Sequence, residues 1–382
     1  MKFVAHKENV ASIIREMMEN TTSTIAKDCG REQQLVTDER YMRRCLQLAR
    51  NGLQNAKPNP MVGAVIVSAD QRIIGEGYHV RCGDNHAEVN AFASVRPEDE
   101  ALLSASTIYV SLEPCSHWGK TPPCADLIVK KGVRRVVCGC IDPFSEVQGR
   151  GVAHIRKAGI EVTVGVLERE CLALNRKFIT FNTEKRPYII LKWAQTINGK
   201  MSQKPSVTPS PEAQRHVMNE ASRSLASRGE GRKERLLLSS PFTKMLVHKL
   251  RSENDAILVG HETVHADHPK LNTRDWSGRD PERLVLAHND EGVPQWFKRF
   301  DDIDALLQYL YENRRQSLIV EGGAQTLRSF LERGLWDEIR VETAPTSVPE
   351  GTDAPHLPGG VKLIDTQVYD GNTICRYERL HA

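Results

Sequence analysis

"SLEPCSHWGKTPPCADLIVKKG", Ser111–Gly132, carries two cysteines, Cys115 and Cys124, with eight residues between them. It also contains "GKT", the tail of a phosphate-loop signature. Four readings compete: a nucleotide-phosphate loop, a disulfide, a metal site, or plain packing. The phosphate loop fails on spacing, because its upstream glycine would fall at Pro114 and Pro122 and Pro123 stand where its helix should begin. A disulfide fits poorly, since the nine cysteines are odd in number and lack the spacing of a small disulfide scaffold. Metal or packing is decided by what stands upstream.

Upstream is "HAE", His86–Glu88. A zinc deaminase needs three protein ligands, an open fourth position, and a carboxylate that is not a ligand but moves protons. His86 and Glu88 lie two residues apart at the start of a predicted helix, so one can bind metal while the other faces the reacting centre. Cys115 follows "EP" at a predicted strand end and Cys124 opens the next helix. Pro122 and Pro123 stiffen the return of the loop between them, so both thiolates can converge on His86. The candidate ligands are therefore His86, Cys115 and Cys124, the ion is Zn²⁺, and Glu88 is the candidate acid–base group. His117 is a rival ligand, read here as a contact to substrate or solvent. Cys138 and Cys140 in "VVCGCI" project to one face by strand alternation; packed thiols are the expectation and a two-cysteine metal clip the alternative.

The surrounding pattern is α/β. "DERYMRRCLQLARNG" reads as an amphipathic helix with Met42, Cys45, Leu46 and Ala49 on one face. "MVGAVIVS" and "RIIGEGYHV" read as a hairpin, "STIYVSLEP" and "RRVVCGCI" as strands, and helices fall between them. A second α/β block starts near Arg186. The expected organisation is an N-terminal extension over 1–36 with one helix near 9–20, a zinc deaminase domain over 37–166, a linker over 167–186, and a second domain over 187–382. Within the second, 201–240 is a polar insertion rich in Ser, Pro and charge. No internal repeat is visible.

Composition narrows the function classes. The 382 residues suit two domains. Fifty-two basic against 49 acidic residues give a net charge of +3, and aromatics are 6%, so no broad nucleic-acid footprint is expected. No run of about 18 apolar residues suggests a membrane span. Acidic residues break the N-terminal apolar stretch, against a signal or transit peptide, so a reducing cytoplasm is the expected compartment. A homo-oligomer is compatible with this reading and not required by it.

"PNPMVGAVIV" (Pro58–Val67), "HAEV", "SLEPCSHWGKTPPC" and "VQGRG" together resemble the deaminase half of the bifunctional RibD family of riboflavin biosynthesis. The wide cysteine spacing with "GKTPPC" separates that family from other zinc deaminases. "RPYIILKWAQTINGK", "LRSENDAILVGHETVHADHPKLNTR" and "LIVEGGAQTLRSFLERGLWDEI" are similar to its reductase half. The resemblance implies a cytidine-deaminase-like zinc domain followed by a dihydrofolate-reductase-like domain. It implies hydrolytic removal of the 2-amino group of 2,5-diamino-6-(5-phosphoribosylamino)pyrimidin-4(3H)-one, a small pyrimidine ribosyl phosphate. NADPH-dependent reduction to 5-amino-6-(5-phosphoribitylamino)uracil would follow.

Position by position, the resemblance implies that Asn59 and Lys120 meet the pyrimidine substrate. Ala194, Thr263, Asp267 and the segment Gly323, Ala324, Gln325, Thr326, Leu327, Arg328, Ser329 would hold NADPH. Arg251, Leu271, Arg274 and Glu321 would hold the ribosyl phosphate. The chain departs from the family at "DPFS" (Asp142–Ser145), at Leu237 in place of a tryptophan, and at Ala287 in place of an aspartate. The segment after Ala287 is short and is expected to lack a strand or two. The alternative is a deaminase whose second domain has become structural.

Overall fold

The computed structural model describes residues 30–118, 122–143, 148–203 and 236–380. The helix expected near 9–20, Lys120 and most of the 201–240 insertion lie outside the described residues. The chain divides into two compact units, Met1–Thr183 and Glu184–Ala382.

Among the described residues the first unit begins with helix α1 over 30–50. Its sheet comprises β1 (Gly63–Val67), β2 (Ile73–Tyr78), β3 (Thr107–Val110), β4 (Arg135–Cys138) and β5 (Glu161–Val164), in the order β2-β1-β3-β4-β5. The pairings β2-β1-β3 are antiparallel and β3-β4-β5 parallel. Every residue of β1 is buried, as expected of a strand covered on both faces. Alternation divides the core. Ala64, Ile66, Ile108 and Val110 pack against α2 (Ala87–Ala93), α3 (Cys124–Lys131) and α4 (Arg150–Lys157). Val65, Val67, Tyr109 and Val137 face Met42, Cys45 and Leu46 of α1.

Two strands are shorter than the apolar runs suggested. β3 ends at Val110, so Ser111–Cys115 is already a turn, and β4 ends at Cys138, so strand alternation does not reach Cys140. Both thiols are buried, and Cys140 packs with Met42, Cys45 and Cys171. In the stretch read as a linker, α5 (Glu168–Leu174) and α6 (Arg176–Glu184) follow one another.

Among the described residues the second unit has eight strands: β6 (Tyr188–Thr196), β7 (Ala256–Gly260), β8 (Glu282–Leu286), β9 (Lys298–Phe300), β10 (Ser317–Glu321), β11 (Glu338–Ala344), β12 (Val361–Tyr369) and β13 (Asn372–Arg379). Their order is β12-β13-β11-β6-β10-β7-β8-β9, parallel from β11 to β9. The hairpin β12–β13 turns at Asp370–Gly371, whose φ values of 50° and 84° match the left-handed turn that such a pair favours. Among the described residues, helices α7 (Pro241–Ser252), α8 (His261–Asp267), α9 (Ile303–Glu312) and α10 (Ala324–Glu332) accompany these strands. The segment after Ala287, expected to be short of strands, supplies β9 and pairs it in parallel with β8.

Candidate active sites

The three proposed zinc ligands converge. His86 is the N-cap of α2 and Cys124 the first residue of α3, while Cys115 sits on the turn leaving β3. One ligand atom from each lies within 4.8 Å of the others. His86 Nδ1 is 3.5 Å from Cys115 Sγ and 3.3 Å from Cys124 Sγ, so this ring nitrogen faces both sulfurs. The Cys124 amide donates to Cys115 Sγ at 3.3 Å, which fixes the second sulfur against the start of α3. The Cys124 thiol and His86 push the Cys115 thiol down to about 4; the same contact and burial push Cys124 up. Together the sulfurs hold a proton that a metal would displace. One imidazole and two sulfurs in a half-buried niche are a donor set that fits Zn²⁺. His117 is exposed and is not part of this cluster.

Glu88, in the first turn of α2, is 3% exposed. Burial raises its carboxyl to about 7, and the Cys115 sulfur adds to the effect. A group poised near neutrality can both take and release a proton, as a shuttle requires. His79, not among the sequence candidates, adjoins the metal cluster. Its ring stands edge-on to His86 with centroids 5.5 Å apart. Its Nδ1 is 3.0 Å from the Asn85 carbonyl, which can only accept, so Nδ1 carries the proton. Its Nε2 then accepts from Asn59 Nδ2 at 3.1 Å. Asn59 thereby reaches the zinc cluster through His79. The available signal was the "GYH" at the end of β2, whose histidine stands just past the strand and seven residues before His86.

In the second unit Arg251, Leu271, Arg274 and Glu321 come together. Arg251 Nη2 donates to Glu321 Oε2 at 2.8 Å and its Nη1 to the Asn272 carbonyl at 3.3 Å. Arg274 Nη1 donates to Asn272 Oδ1 at 2.9 Å. Lys192, also missed in sequence, donates from Nζ to Glu321 Oε1 at 3.2 Å. A lysine inside the apolar run "YIILKWA" was the available signal. Leu271 is 4% exposed and its side chain belongs to the core beside Leu250 and Val264.

Burial alone would raise the Glu321 carboxyl, but Arg251 and Lys192 outweigh it and hold the group at about 2. A depressed carboxyl stabilises the fold above its ordinary value of 4.5, and that contribution is lost as pH falls through about 2. Glu321→Gln leaves two largely buried cations without their counter-charge, which should cost this unit ~3–5 kcal/mol at neutral pH. Urea unfolding of the two proteins should show that gap narrowing below pH 4.5. A gap that is absent at pH 7, or unchanged on acidification, would remove the ion-pair account.

Around the expected cofactor segment, Gly322 and Gly323 adopt φ values of 97° and 71°, and a Cβ on either would press on Thr263 or Thr326 within 3.1–3.4 Å. Gly323 is the N-cap of α10, with no side chain capping the helix start. The Leu327 amide already donates to the Gly323 carbonyl, and the Leu327 side chain is buried in the core. Arg328 Nη2 donates to the Asp353 carbonyl and Ser329 Oγ to the Gln325 carbonyl. The open donors are therefore the amides of Ala324, Gln325 and Thr326, and the ladder leaves nothing for the later backbone positions of the segment to donate. Thr263 lies against this turn, Asp267 ends the same helix α8, and Ala194 lies on β6 two residues from Lys192.

The family model of the cytidine and deoxycytidylate deaminase zinc-binding region matches residues 35–140, and that of the RibD C-terminal domain matches 187–370. Riboflavin biosynthesis protein RibD of Aquifex aeolicus is 35% identical over 361 residues, spanning 86% of this chain and 92% of that protein. RibD of Escherichia coli is 34% identical over 377 residues, spanning 86% and 93%. A crystal structure from Thermotoga maritima, described as a diaminohydroxyphosphoribosylaminopyrimidine deaminase/5-amino-6-(5-phosphoribosylamino)uracil reductase, superposes with a TM-score of 0.75. It is 31% identical and the match covers 91% of this chain and 99% of that one. With both halves matched, and relatives matched over nearly their whole length, the chain belongs to the RibD family of riboflavin biosynthesis proteins.

Proposed function

We infer that this chain is a bifunctional enzyme of riboflavin biosynthesis, with Zn²⁺ and NADPH as its cofactors. It deaminates 2,5-diamino-6-(5-phosphoribosylamino)pyrimidin-4(3H)-one and then reduces the ribosyl side chain to give 5-amino-6-(5-phosphoribitylamino)uracil. The observation that carries the reading is the meeting of His86, Cys115 and Cys124 within 4.8 Å beside the buried Glu88. We place its action in the cytoplasm, on a small pyrimidine ribosyl phosphate rather than on nucleic acid.

In the deaminase half, Asn59, held by His79, orients the pyrimidine through the acceptor end of its amide. Zinc, when bound at His86, Cys115 and Cys124, supplies the Lewis acidity that activates water for attack on the carbon bearing the amino group. Glu88 takes the proton from the attacking water and delivers it to the departing nitrogen, which leaves as ammonia.

In the reductase half, NADPH supplies a hydride. The amides of Ala324, Gln325 and Thr326, at the start of α10, suit a cofactor phosphate, with Thr263 alongside. Arg251 is occupied by Glu321 and the Asn272 carbonyl, so the half-exposed Arg274 is the guanidinium better placed for the substrate phosphate. Lys192, oriented by Glu321, can deliver a proton to the sugar oxygen as the ring opens to ribitol.

A coupled assay tests the whole reading. Ammonia should appear without NADPH, and NADPH oxidation should require prior deamination. Ammonia without any NADPH oxidation would leave the deaminase-only alternative standing. The departure at Leu237 gives a finer test, since this side chain is 67% exposed where the family has a tryptophan. Leu237→Trp should tighten NADPH by about 0.5–1.5 kcal/mol, roughly two- to tenfold, with substrate affinity unchanged. Protein-fluorescence titration reads the first and calorimetry the second; no change in NADPH affinity would place Leu237 outside the cofactor wall.

A further inference from the structure

Glu113 stands two residues before Cys115, in "LEPC", and the mechanism above does not use it. Its residue is 5% exposed. Its carboxylate accepts from four backbone amides. Oε2 takes those of Asp142 at 3.2 Å and Gly149 at 2.9 Å; Oε1 takes those of Gly151 at 2.8 Å and Val152 at 3.3 Å. Gly149 is the N-cap of α4, and Gly151 and Val152 belong to its first turn. These are the donors that a helix start leaves unsatisfied. The cap residue itself is a glycine at φ 74° with no side chain to offer, so the capping acceptor comes from Glu113, 36 residues away from that cap. A buried carboxylate at a helix N-terminus is also favoured by the helix dipole.

The contact continues into the metal niche. Between Glu113 and Cys115 lies Pro114, and a Cβ at Gly151 would fall 1.9 Å from the Pro114 carbonyl oxygen. The start of α4 therefore packs directly on the turn that carries Cys115. On its other side that turn is held by α3, through the Ala125 amide on the Cys115 carbonyl at 3.1 Å and the Cys124 amide on Cys115 Sγ at 3.3 Å. Cys115 is thus set between two helix starts, and Glu113 is the only side chain in the "EPC" turn that bonds to α4.

We propose that Glu113 is a positioning residue for the zinc centre: by capping α4 from a distance it fixes the Cys115 turn, and so the placement of the Cys115 sulfur relative to His86 and Cys124. This rests on the assignment of those three residues as the zinc ligands. Glu113 does not touch substrate or metal. Its effect is transmitted through Pro114 to a ligand, as outer partners of metal ligands commonly act.

The test compares full-length wild-type protein with Glu113→Gln. The amide keeps one acceptor but turns an N–H₂ toward backbone donors. Zinc content of the wild type comes first; a wild type that binds no zinc would remove the ligand assignment, separately from this proposal. Given stoichiometric zinc in the wild type, Glu113→Gln should bind it ~10–100-fold more weakly in chelator competition. The cobalt(II)-substituted variant should show an altered sulfur-to-cobalt charge-transfer band, because the Cys115 sulfur has moved. Unchanged zinc affinity and an unchanged cobalt spectrum in a folded variant would overturn the proposal. Should Glu113→Gln fail to fold, Glu113→Asp, which keeps the charge and shortens the reach by one methylene, is measured in the same way with the same two outcomes. If neither variant folds, Glu113 determines the fold rather than positions the metal, and the proposal is overturned as well.

Discussion

Glu88→Gln should leave zinc content at the wild-type level and slow ammonia release by about 10²–10⁴-fold. The glutamine has the shape of the carboxyl but cannot accept a proton from water and pass it on. All three sulfur and nitrogen donors remain, so metal binding has no reason to fall. Nor should the fold suffer. Glu88 is almost fully buried, and burial favours its neutral form, which the amide imitates. Only the proton transfer is removed. Ammonia release with metal analysis on the same sample reads both quantities. Near-wild-type turnover in a zinc-replete variant would take the proton-shuttle role away from Glu88. Loss of zinc alongside activity would instead mean that the carboxylate helps hold the metal.

The parts of the site that could be read in the sequence are those written locally. His86 and Glu88 sit two residues apart at a helix start, and Cys115 and Cys124 flank one loop, so residue type and spacing already constrain their geometry. Lys192 and Glu113 could not be placed that way. The acceptor of the Lys192 ammonium is Glu321, 129 residues further along, and the amides on Glu113 lie 29–39 residues beyond it. Only the folded sheet, which sets β6 beside β10, turns those separations into contacts. Strand ends were misjudged for a related reason. "STIYVSLEP" stays buried past Val110, where the chain bends and only single amide bonds, Ser111 to the Gly63 carbonyl and Glu113 to the Cys140 carbonyl, continue the ladder; hydrophobicity marks burial and not the last regular pair. The same holds for the cofactor segment. Motif position took in Gly323 to Ser329 as a block, whereas helix geometry leaves open amides only at its first residues and sends Leu327 inward. By contrast, the hairpin β12–β13 was legible in "VYDGNTICRY", where Asp-Gly separates two β-rich runs, and went unread.

Cys124→Ser should abolish zinc binding and deamination together while NADPH-dependent reduction of the deaminated intermediate, supplied directly, proceeds at the wild-type rate. A serine hydroxyl is a poor zinc donor at neutral pH, and two remaining ligands do not make a tetrahedral site. Deamination then loses both the metal and the site at which water is activated, so the deficit should exceed that of Glu88→Gln. Cys124 also opens α3 and its amide bonds the Cys115 sulfur, so the substitution acts on the niche without altering the main-chain donor. Reduction should be spared because each unit has its own core. Ile66, Ile108, Ile128 and Ile155 pack together in the first, and Leu191, Leu258, Leu318 and Phe330 in the second. Zinc should stabilise the first unit alone, so in the variant the thermal transition of that unit should fall in temperature while the other transition stays in place. Chelating the wild type should reproduce each of these effects, and adding zinc back should reverse them in the wild type but not in the variant. Parallel loss of reductase activity in Cys124→Ser would mean that the second unit depends on the metal state of the first, which the separate cores do not predict.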